Sequence, residues 1–460
     1  MSTANKDSIA ATRLLASYGA ASRFEALPAP VVHEAKRALL NWAGCAIGAS
    51  AHPTVEIAWR ALRPFAGAAQ ATLLGRRERT DILHAALING ISSHVLDFDD
   101  THPDTLVHPS GPVASAVLAL AELRRVSGAE LINAFVTGVE VECRIARAVL
   151  PAHYEVGWHI TATAGVFGAA AASARLLDLD EERTIWALGL AATQAAGLRE
   201  MFGSMAKSLH PGRAAQNGLA AALMAEAGFT SAESAIEGKR GFAHVLSTTV
   251  DMAKCVDGLG ERYDLLGNTY KPFACGLVIH PAIDAAIRFR NESGARAADV
   301  ARVDLTVHPM TLELTGKKTP RTGLEGKFSV FHSTAVALID GAGGEAQYAD
   351  ARVNAPDVVA LRGKVHAVAD AAMALDAVDA VFTLASGVQH KLTIAHCVGS
   401  QQQPMSDAQL DAKFRDQCEP VLGAAHCTRV LALLHRIDTL SEAGACAAAC
   451  ATACALDGAH

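Results

Sequence analysis

Three Ala-rich segments at regular spacing constrain the fold of this 460-residue chain more than any other feature. They read "VHPSGPVASAVLALAEL", "WHITATAGVFGAAAASARLL" and "LHPGRAAQNGLAAALMAEAG", and their histidines, His108, His159 and His210, follow one another at intervals of 51 residues. Alanine is the strongest helix former, so the pattern predicts helices of similar length, stacked as hairpins over residues 94–240. Each of the three histidines is expected to stand immediately before a helix.

Capping residues about twenty positions after each histidine predict where the next helix begins. Ser127 with Glu130 and Thr230 with Glu233 have the spacing of a capping box, in which each side chain binds the other residue's backbone N–H. Asp180 is a candidate N-cap in "LDLDEERTI". The segment therefore reads as a series of helical hairpins.

The pattern changes near residue 268. "ARVDLTVHPMTLELT" alternates apolar and polar residues as a half-buried strand does, and "AVFTLASGVQHKLTIAH" predicts two strands joined at Ser386-Gly387. After residue 405 helical patterns return, with a capping box at Ser406 and Gln409. The sequence predicts a mainly α protein with a helical first part (1–267), a smaller α+β segment (268–403) and a return to helix (404–460). A cleft between two such domains is a usual place for a small-molecule site.

Charge and terminal composition exclude several classes of protein. The net charge is −7, and no basic stripe or arm marks a nucleic-acid surface. The N-terminal stretch "MSTANKDSIAATRLLASYG" lacks the features of a signal peptide, and uncharged stretches stop short of the ~20 residues that a membrane span needs. Ten cysteines without a C-x-x-C pair argue against a zinc ribbon or an iron–sulfur cluster. We expect a cytoplasmic protein with no nucleic-acid or membrane partner.

The stretch "HVLDFDDTHPDTLVHPSG" places four carboxylates and three imidazoles before an apolar helix, and four interpretations are open. "VLDFDDT" matches the D-x-D-x-T nucleophile motif of haloacid-dehalogenase-like phosphatases, but a helix-like run precedes it and no later G-D-x-x-x-D follows. Asp97, Asp99, His102 and His108 have the right donor atoms for a metal site, although no H-E-x-x-H accompanies them. Helix capping is the third interpretation.

Proton transfer at a carbon next to a carboxylate, without a metal, is the fourth interpretation. Such chemistry needs a base near neutral pH and fixed cations that hold the developing negative charge. Asp97 and the three repeat histidines are candidate proton-transfer or orienting groups. Lys207 and Arg213, on either side of the third histidine, are candidate carboxylate-binding groups, since helix N-termini and cations favour anions.

Five ordered blocks of the sequence resemble the MmgE/PrpD family over nearly the whole chain. They are "DFDDTH" followed by "HPSG", "GWHITATAGVFGAAAASARLL", "GLREMFGSMAKSLHPGRAAQNG", "YKPFACGLVIHPAIDA" and "GKFSVFHSTAVALIDG". The resemblance implies a large all-helical domain made from both chain ends, which forms a homodimer, and an inserted smaller α+β lid domain. It also implies a cleft that takes small di- or tricarboxylates without a metal or another cofactor.

The same resemblance implies the positions of the site residues. The family's active-site positions fall on Asp97, Thr101, His108, His159, Lys207 and His280. His332 stands where decarboxylases of the family carry Tyr, and it is a candidate second proton donor. The remaining candidate substrate-binding side chains are His210, Arg213 and Lys271.

The sequence therefore predicts a metal-independent enzyme that removes a proton α to a carboxylate of a small polycarboxylate. A dehydratase-type lyase is the leading activity. The alternatives are an epimerase or isomerase acting on an iminodisuccinate-like dicarboxylate, which the additional imidazole of His332 favours, and a cis-aconitate-type decarboxylase. A haloacid-dehalogenase-like phosphatase and a non-catalytic helical binding protein are the competing classes.

Overall fold

A computed structural model describes residues 9–452, which are mostly helical with a small sheet. Residues 1–8, which belong to the N-terminal stretch without signal-peptide features, lie outside the described part. The helices of the first part are α1 (Ala11–Ala21), α2 (Ala29–Gly48), α3 (Pro53–Leu62), α4 (Ile82–Val95), α5 (Ser110–Arg124), α6 (Gly128–Val149), α7 (Ala152–Val156), α8 (Ile160–Thr163), α9 (Gly165–Leu176), α10 (Glu181–Ala192), α11 (Met205–Glu226), α12 (Phe242–Leu246) and α13 (Ala253–Val256). A two-stranded ribbon, β1 (Ala71–Thr72) and β2 (Arg79–Thr80), lies between α3 and α4.

The remaining elements mix helices and strands and then return to helix. They are α14 (His280–Ser293), β3 (Val300–Val307), α15 (Pro309–Thr315), α16 (Gly323–Gly326), α17 (Val330–Asp340), α18 (Asp350–Val353), α19 (Pro356–Arg362), β4 (Val365–Ala369), β5 (Val378–Leu384), β6 (Gln389–Ile394), α20 (Asp407–Leu422), α21 (Ala424–His435) and α22 (Gly444–Ala449). Among residues 9–452, no helix is both long enough and apolar enough to span a bilayer.

Small residues bring α4, α5, α9 and α11 into close contact at the centre of the helical part. A Cβ atom added to Gly90 of α4 would lie 2.5 Å from the Cα atom of Gly212 of α11, and one added to Gly218 would lie 2.5 Å from the Cβ atom of Ala169. Such contacts allow helix axes to approach closely and bury these faces completely. This packing places the C-terminal end of α4 beside the first turns of α11.

The four-stranded sheet has the order β4-β3-β5-β6, with β3 and β4 parallel and the other pairs antiparallel. The strand predicted at "ARVDLTVHPMTLELT" is confirmed over its first half, as β3, but Pro309–Thr315 form helix α15 instead. The predicted hairpin at Ser386-Gly387 is confirmed. Gly387 has a φ of 85°, which the tight turn requires and which glycine adopts without strain. Helices α14 and α17 pack together over this sheet.

The C-terminal return helix α20 packs on α2, near the beginning of the chain. Phe414 lies against Gly44, where an added Cβ would be 3.0 Å from the phenyl ring. Both chain ends therefore contribute to one helical core. The division into a helical domain and an inserted lid, with boundaries at residues 267 and 403, stays a prediction.

Most predicted helix starts are confirmed, and two are wrong. The Ser127/Glu130 and Ser406/Gln409 capping boxes and the Asp180 N-cap are present. Residues 229–240 form an irregular loop and turns, so no helix begins at the Thr230/Glu233 pair.

The prediction that His210 stands immediately before a helix is the second that is wrong. Helix α11 begins at Met205, so His210 and Pro211 lie inside it and Arg213 opens no helix. A proline usually marks a first turn. In α11 the helix continues through Pro211, and the next residue, Gly212, packs closely on α4. Three helix N-termini therefore do not converge on one anion.

Candidate active site

Asp97 lies just beyond the end of α4, in a left-handed backbone conformation with φ of 50°. Its Oδ1 accepts hydrogen bonds from the Nζ atoms of Lys207 (2.7 Å) and Lys271 (3.0 Å). Burial alone would raise the pKa of Asp97, but the two ammonium charges outweigh burial and hold this pKa well below its usual value. Two cations thus share one carboxylate, so Asp97, Lys207 and Lys271 together carry a net positive charge.

Three buried lysines from separate parts of the chain hold the backbone of this loop. The Nζ atoms of Lys327, Lys271 and Lys413 donate to three successive carbonyl groups, those of residues 96, 97 and 98, at 2.6, 3.0 and 2.7 Å respectively. Charge-assisted hydrogen bonds of this kind are stronger than neutral ones. The strained conformation at Asp97 is therefore fixed by contacts from the α+β segment and from α20.

Asp99 and His94 form a fully buried pair beside this loop. The Nδ1 atom of His94 lies 2.6 Å from Oδ2 of Asp99, and Nδ1 of His108 lies 3.5 Å from the same oxygen. Burial would raise the pKa of Asp99, but His94 and His108 lower it below its usual range. The Nε2 atom of His94 is buried without a hydrogen-bond partner among the described residues.

His108 presents one ring nitrogen to the protein and the other to the cavity. Its Nδ1 lies 2.8 Å from the backbone carbonyl of Asp100 and 3.2 Å from Oγ1 of Thr101. Because a carbonyl oxygen only accepts, Nδ1 carries the proton and Nε2 has the free lone pair. Burial, only partly opposed by Asp99, lowers the pKa of His108 to about 3, so the ring is neutral at pH 7.

The carboxylate of Asp100 is bound by neutral groups and, in the described part of the chain, by no lysine. Its Oδ2 accepts hydrogen bonds from Oγ of Ser110 (2.6 Å) and Nδ2 of Asn268 (2.7 Å). Burial and the charge of Asp99 raise the pKa of Asp100 to about 7, although these hydrogen bonds oppose the rise. Asp100 therefore orients the loop rather than facing the cavity.

His159 and His210 contact each other through their Nδ1 atoms at 2.8 Å. Burial and then the proximity of His210 lower the pKa of His159 well below its usual value. Burial, followed by the charges of His94 and Lys207, lowers the pKa of His210 to about 4. His159 and His210 therefore form a neutral imidazole pair at pH 7.

One small cavity joins these groups between the helical part and the α+β segment. Its polar walls are Asp97, Thr101, His108, His159, Lys207, Lys271 and Thr315, and its apolar walls include Leu106, Tyr154, Phe202, Met310, Leu314, Phe328 and Leu375. The Nζ atom of Lys207 lies 5.3 and 5.1 Å from the ring centres of Phe202 and Phe328. The cavity thus offers cations, a fixed proton acceptor and an imidazole pair in a largely apolar setting, which suits the stabilisation of an anion.

Comparison with known proteins identifies the family of this chain. The MmgE/PrpD N-terminal domain matches residues 13–254, and the MmgE/PrpD C-terminal domain matches residues 273–438. The chain belongs to the MmgE/PrpD family. The resemblance seen in the sequence is therefore confirmed.

Named relatives within the MmgE/PrpD family are similar to this chain at moderate identity. Human cis-aconitate decarboxylase is 27% identical over 348 residues, which cover 73% of this chain and 72% of the relative. The enzyme of the same name from Aspergillus terreus is 26% identical over 336 residues, covering 68% and 69%. The mouse protein is 25% identical over 430 residues, covering 90% and 87%. These names support a lyase of the MmgE/PrpD family for this chain.

Not every sequence-predicted site residue reaches the cavity. His280 is fully buried against Phe273, with ring centres 5.3 Å apart, and is not part of the cavity wall. His332 packs on Tyr348 and its Nε2 lies 3.0 Å from the carbonyl of Gln347. Arg213 is exposed and donates to Gln216 of its own helix. His210 reaches the cavity only through His159.

The structure does not support the three other interpretations of the stretch "HVLDFDDTHPDTLVHPSG". The D-x-D-x-T run follows helix α4 and not a strand, unlike the phosphatase arrangement. His102 binds Thr105 at 3.0 Å and lies apart from the other acidic and imidazole groups of the proposed metal set. Asp97 and Asp99 bind lysines and a histidine, so helix capping does not account for them.

A different set of residues has the chemistry of a metal site. Ring nitrogens of His94, His108 and His159 lie within 4.8 Å of one another. Neutral imidazole suits Zn²⁺, and two of these histidines have a carboxylate or a carbonyl behind Nδ1, as metal-binding histidines do. Tetrahedral Zn²⁺ would bring the nitrogens to about 3.4 Å, given Zn–N distances of about 2.05 Å. If the enzyme needs a metal ion, these three residues are therefore the ones expected to bind it.

Sequence reasoning did not select His94, Lys327, Lys413, Phe202 or Phe328. His94 stood in the quoted stretch, and its spacing of five residues from Asp99 was the available signal. The lysines and phenylalanines carry no local motif, because their partners are more than a hundred residues away.

Proposed function

We propose that this chain is a lyase that acts on a small di- or tricarboxylate by carbanion chemistry at the carbon next to a carboxylate. The observation that carries the proposal is the cavity in which Lys207 and Lys271 share Asp97 beside two neutral histidines. The excess positive charge favours a substrate carboxylate and stabilises the enediolate-like charge that forms when the adjacent carbon loses a proton or CO₂.

His108 is the proposed proton acceptor. Its protonated Nδ1 is fixed on the carbonyl of Asp100, so the lone pair of Nε2 is available on the other edge of the ring. Asp99, 3.5 Å from Nδ1, would stabilise the imidazolium that forms when Nε2 takes a proton. The low pKa of the resting ring keeps it unprotonated before substrate binds.

His159 is the proposed proton donor from the neighbouring wall. Its ring centre lies 6.3 Å from that of His108, which leaves both imidazoles in reach of one small substrate. A dehydratase would use His159 to protonate the leaving hydroxyl, and a decarboxylase would use it to protonate the carbanion after CO₂ departs. Asp97 is proposed to orient Lys207 and Lys271, and Thr101 is proposed to orient His108.

Two reactions are the leading candidates on different grounds. Removal of an α-proton and loss of a β-hydroxyl makes full use of a fixed acceptor and a separate donor, which favours the dehydratase. The relatives named cis-aconitate decarboxylase favour decarboxylation of a cis-aconitate-like substrate. His332 gives no support to epimerisation, because its ring does not reach the cavity wall. Loss of His332 should therefore leave stereochemistry unchanged.

The test is a panel of citrate, 2-methylcitrate, cis-aconitate and iminodisuccinate, with products identified by NMR and mass spectrometry. A lyase is expected to release water or CO₂ from one of them. His159→Gln keeps a hydrogen-bonding side chain but cannot transfer a proton at neutral pH. Its rate should fall by about 10²–10⁴-fold, with the melting temperature and the affinity for a non-reacting analogue retained. Turnover at the wild-type rate would make His159 a packing residue.

The assembly and location proposed from the family resemblance need their own tests. A homodimer through the helical part would elute at twice the mass of the 460-residue chain in size-exclusion chromatography with light scattering. A cytoplasmic location would be seen by fractionation of cells that express the full chain.

A further inference from the structure

The contact between His159 and His210 requires a shared proton. Their Nδ1 atoms are 2.8 Å apart, so one nitrogen donates and the other accepts. Burial is the main reason that both rings are neutral at pH 7. A neutral pair has two arrangements, which differ in which ring carries the Nδ1 proton and therefore in which ring carries its proton at Nε2.

The two ends of the pair face different surroundings. His159 is 1% exposed and forms part of the cavity wall, whereas His210 is 8% exposed and lies behind it. The ring of His210 packs beneath Gly197, where an added Cβ would be 3.4 Å away. Gly197 belongs to a loop with exposed neighbours at Ala196 and Leu198. Within residues 9–452, His210 has no other hydrogen-bond partner, which leaves its Nε2 edge for water.

Neutral histidine alone is a poor acid, because loss of its only N–H proton leaves an anionic ring in a buried site. A second imidazole removes this obstacle if it supplies a proton to Nδ1 as Nε2 gives one up. From this geometry we propose that His210 acts as a proton-relay residue that makes His159 competent to donate to, and accept from, the substrate. The inference rests on the proposed proton-transfer role of His159.

The proton balance closes without a charged ring. In the donating state His159 carries its proton on Nε2 and His210 carries its proton on Nδ1. His159 gives the Nε2 proton to the substrate, and its Nδ1 receives the Nδ1 proton of His210. The Nε2 atom of His210 takes a proton from solvent water, and the hydroxide that this leaves is neutralised in bulk solvent. The accepting state runs these transfers in reverse, and water in the emptied cavity resets the pair after product leaves.

His108 lacks this capacity, which gives the two cavity histidines different roles. Its Nδ1 faces the carbonyl of Asp100, which has no proton to supply. His108 is thus fixed as an acceptor in the resting enzyme, whereas the relay lets His159 act in either direction. The contact with His210 therefore distinguishes His159, the proposed proton donor, from His108, the proposed proton acceptor.

The first test replaces His210 and separates kcat from KM on the substrate that the panel identifies. His210→Gln should lower kcat by at least about tenfold, since general acid–base assistance is worth 10²–10⁴-fold, with KM changed less than about threefold. His210→Ala should show the same loss and regain activity as free imidazole is added. His153→Gln is the matched control, because His153 is buried and bonded to Thr163 and to the carbonyl of Leu246 but lies outside the cavity wall.

The outcomes separate a relay from a structural role. An unchanged kcat in His210→Gln, or a loss in His210→Ala that imidazole does not restore while the analogue still binds, would overturn the relay. A control variant that loses kcat to the same extent would also count against it, because any buried histidine would then have the same effect.

A second measurement needs neither substrate nor a folded variant. In wild-type protein labelled with ¹⁵N-histidine, a shared proton should give a scalar coupling between the Nδ1 nuclei of His159 and His210. Two Nδ1 nuclei without coupling would overturn the relay even if the proposed reaction is found. A coupled pair in a protein that converts no member of the panel would instead count against the proposed function and leave the proton link standing.

Discussion

Lys207→Met tests whether the paired lysines bind the substrate or only stabilise the fold. Lys207 is 7% exposed, donates to Asp97 at 2.7 Å and lies beside the rings of Phe202 and Phe328. Methionine keeps most of the apolar volume and removes the charge. A hydrogen bond to a charged group contributes about 1.5–3 kcal/mol, so kcat/KM should fall by about 10- to 150-fold.

The fold should survive this change because Asp97 keeps a second cation. Lys271 remains 3.0 Å from the same carboxylate oxygen and also holds the Asp97 carbonyl. Loss of one partner from a buried ion pair can reduce stability by about 3–5 kcal/mol when the other charge is left alone. Because Asp97 still binds Lys271 in the variant, the loss of stability should stay below that range. Unfolding in urea, monitored by circular dichroism, gives the cost directly.

The assay compares steady-state kinetics of wild type, Lys207→Met and the control Lys239→Met. Lys239 is exposed, with no ion pair in the described part of the chain. Lys207→Met should lose kcat/KM while the control keeps it. Wild-type kinetics in a folded Lys207→Met protein would refute the claim that this ammonium binds substrate.

Three further changes test separate parts of the structure. Dialysis against EDTA should leave activity intact, and a loss that Zn²⁺ restores would instead assign metal binding to the cluster of His94, His108 and His159. Lys413→Met should destabilise the protein by at least about 2 kcal/mol in urea, since it leaves buried acceptors unsatisfied; an unchanged midpoint would contradict this. Burial lowers the pKa of His332 to about 4, so the free energy of unfolding of the protein should decrease as pH falls from 6.5 towards 4. His332→Phe should reduce this decrease by up to about 1.4 kcal/mol per pH unit, and a slope identical to that of the wild type would be evidence against it.

Local sequence patterns predicted much of the fold because their physical causes are local. The capping box at Ser127, the alternation in β3 and the turn at Gly387 each depend on a few neighbouring residues. The error at His210 has a tertiary cause. Helix α11 extends through Pro211 while Gly212 contacts α4, and no local preference reports that contact.

The candidate site shows the same division between local and distant causes. Asp97, His108 and His159 could be selected from short motifs, and the structure places them on one cavity. The lysines that hold residues 96–98 come from positions 271, 327 and 413, which no spacing rule connects to that loop. The position of His332 away from the cavity is a property of how α17 packs on α14, which the sequence pattern does not specify.

Deuterium incorporation tests the central claim most directly. The wild-type enzyme is incubated in D₂O with each member of the polycarboxylate panel, and NMR locates deuterium in substrate and product. Carbanion chemistry with proton transfer by His108 and His159 is expected to place deuterium at the carbon next to a carboxylate, with sharply reduced incorporation in His159→Gln. A panel member that is converted with no solvent deuterium at that carbon in either substrate or product would contradict the account.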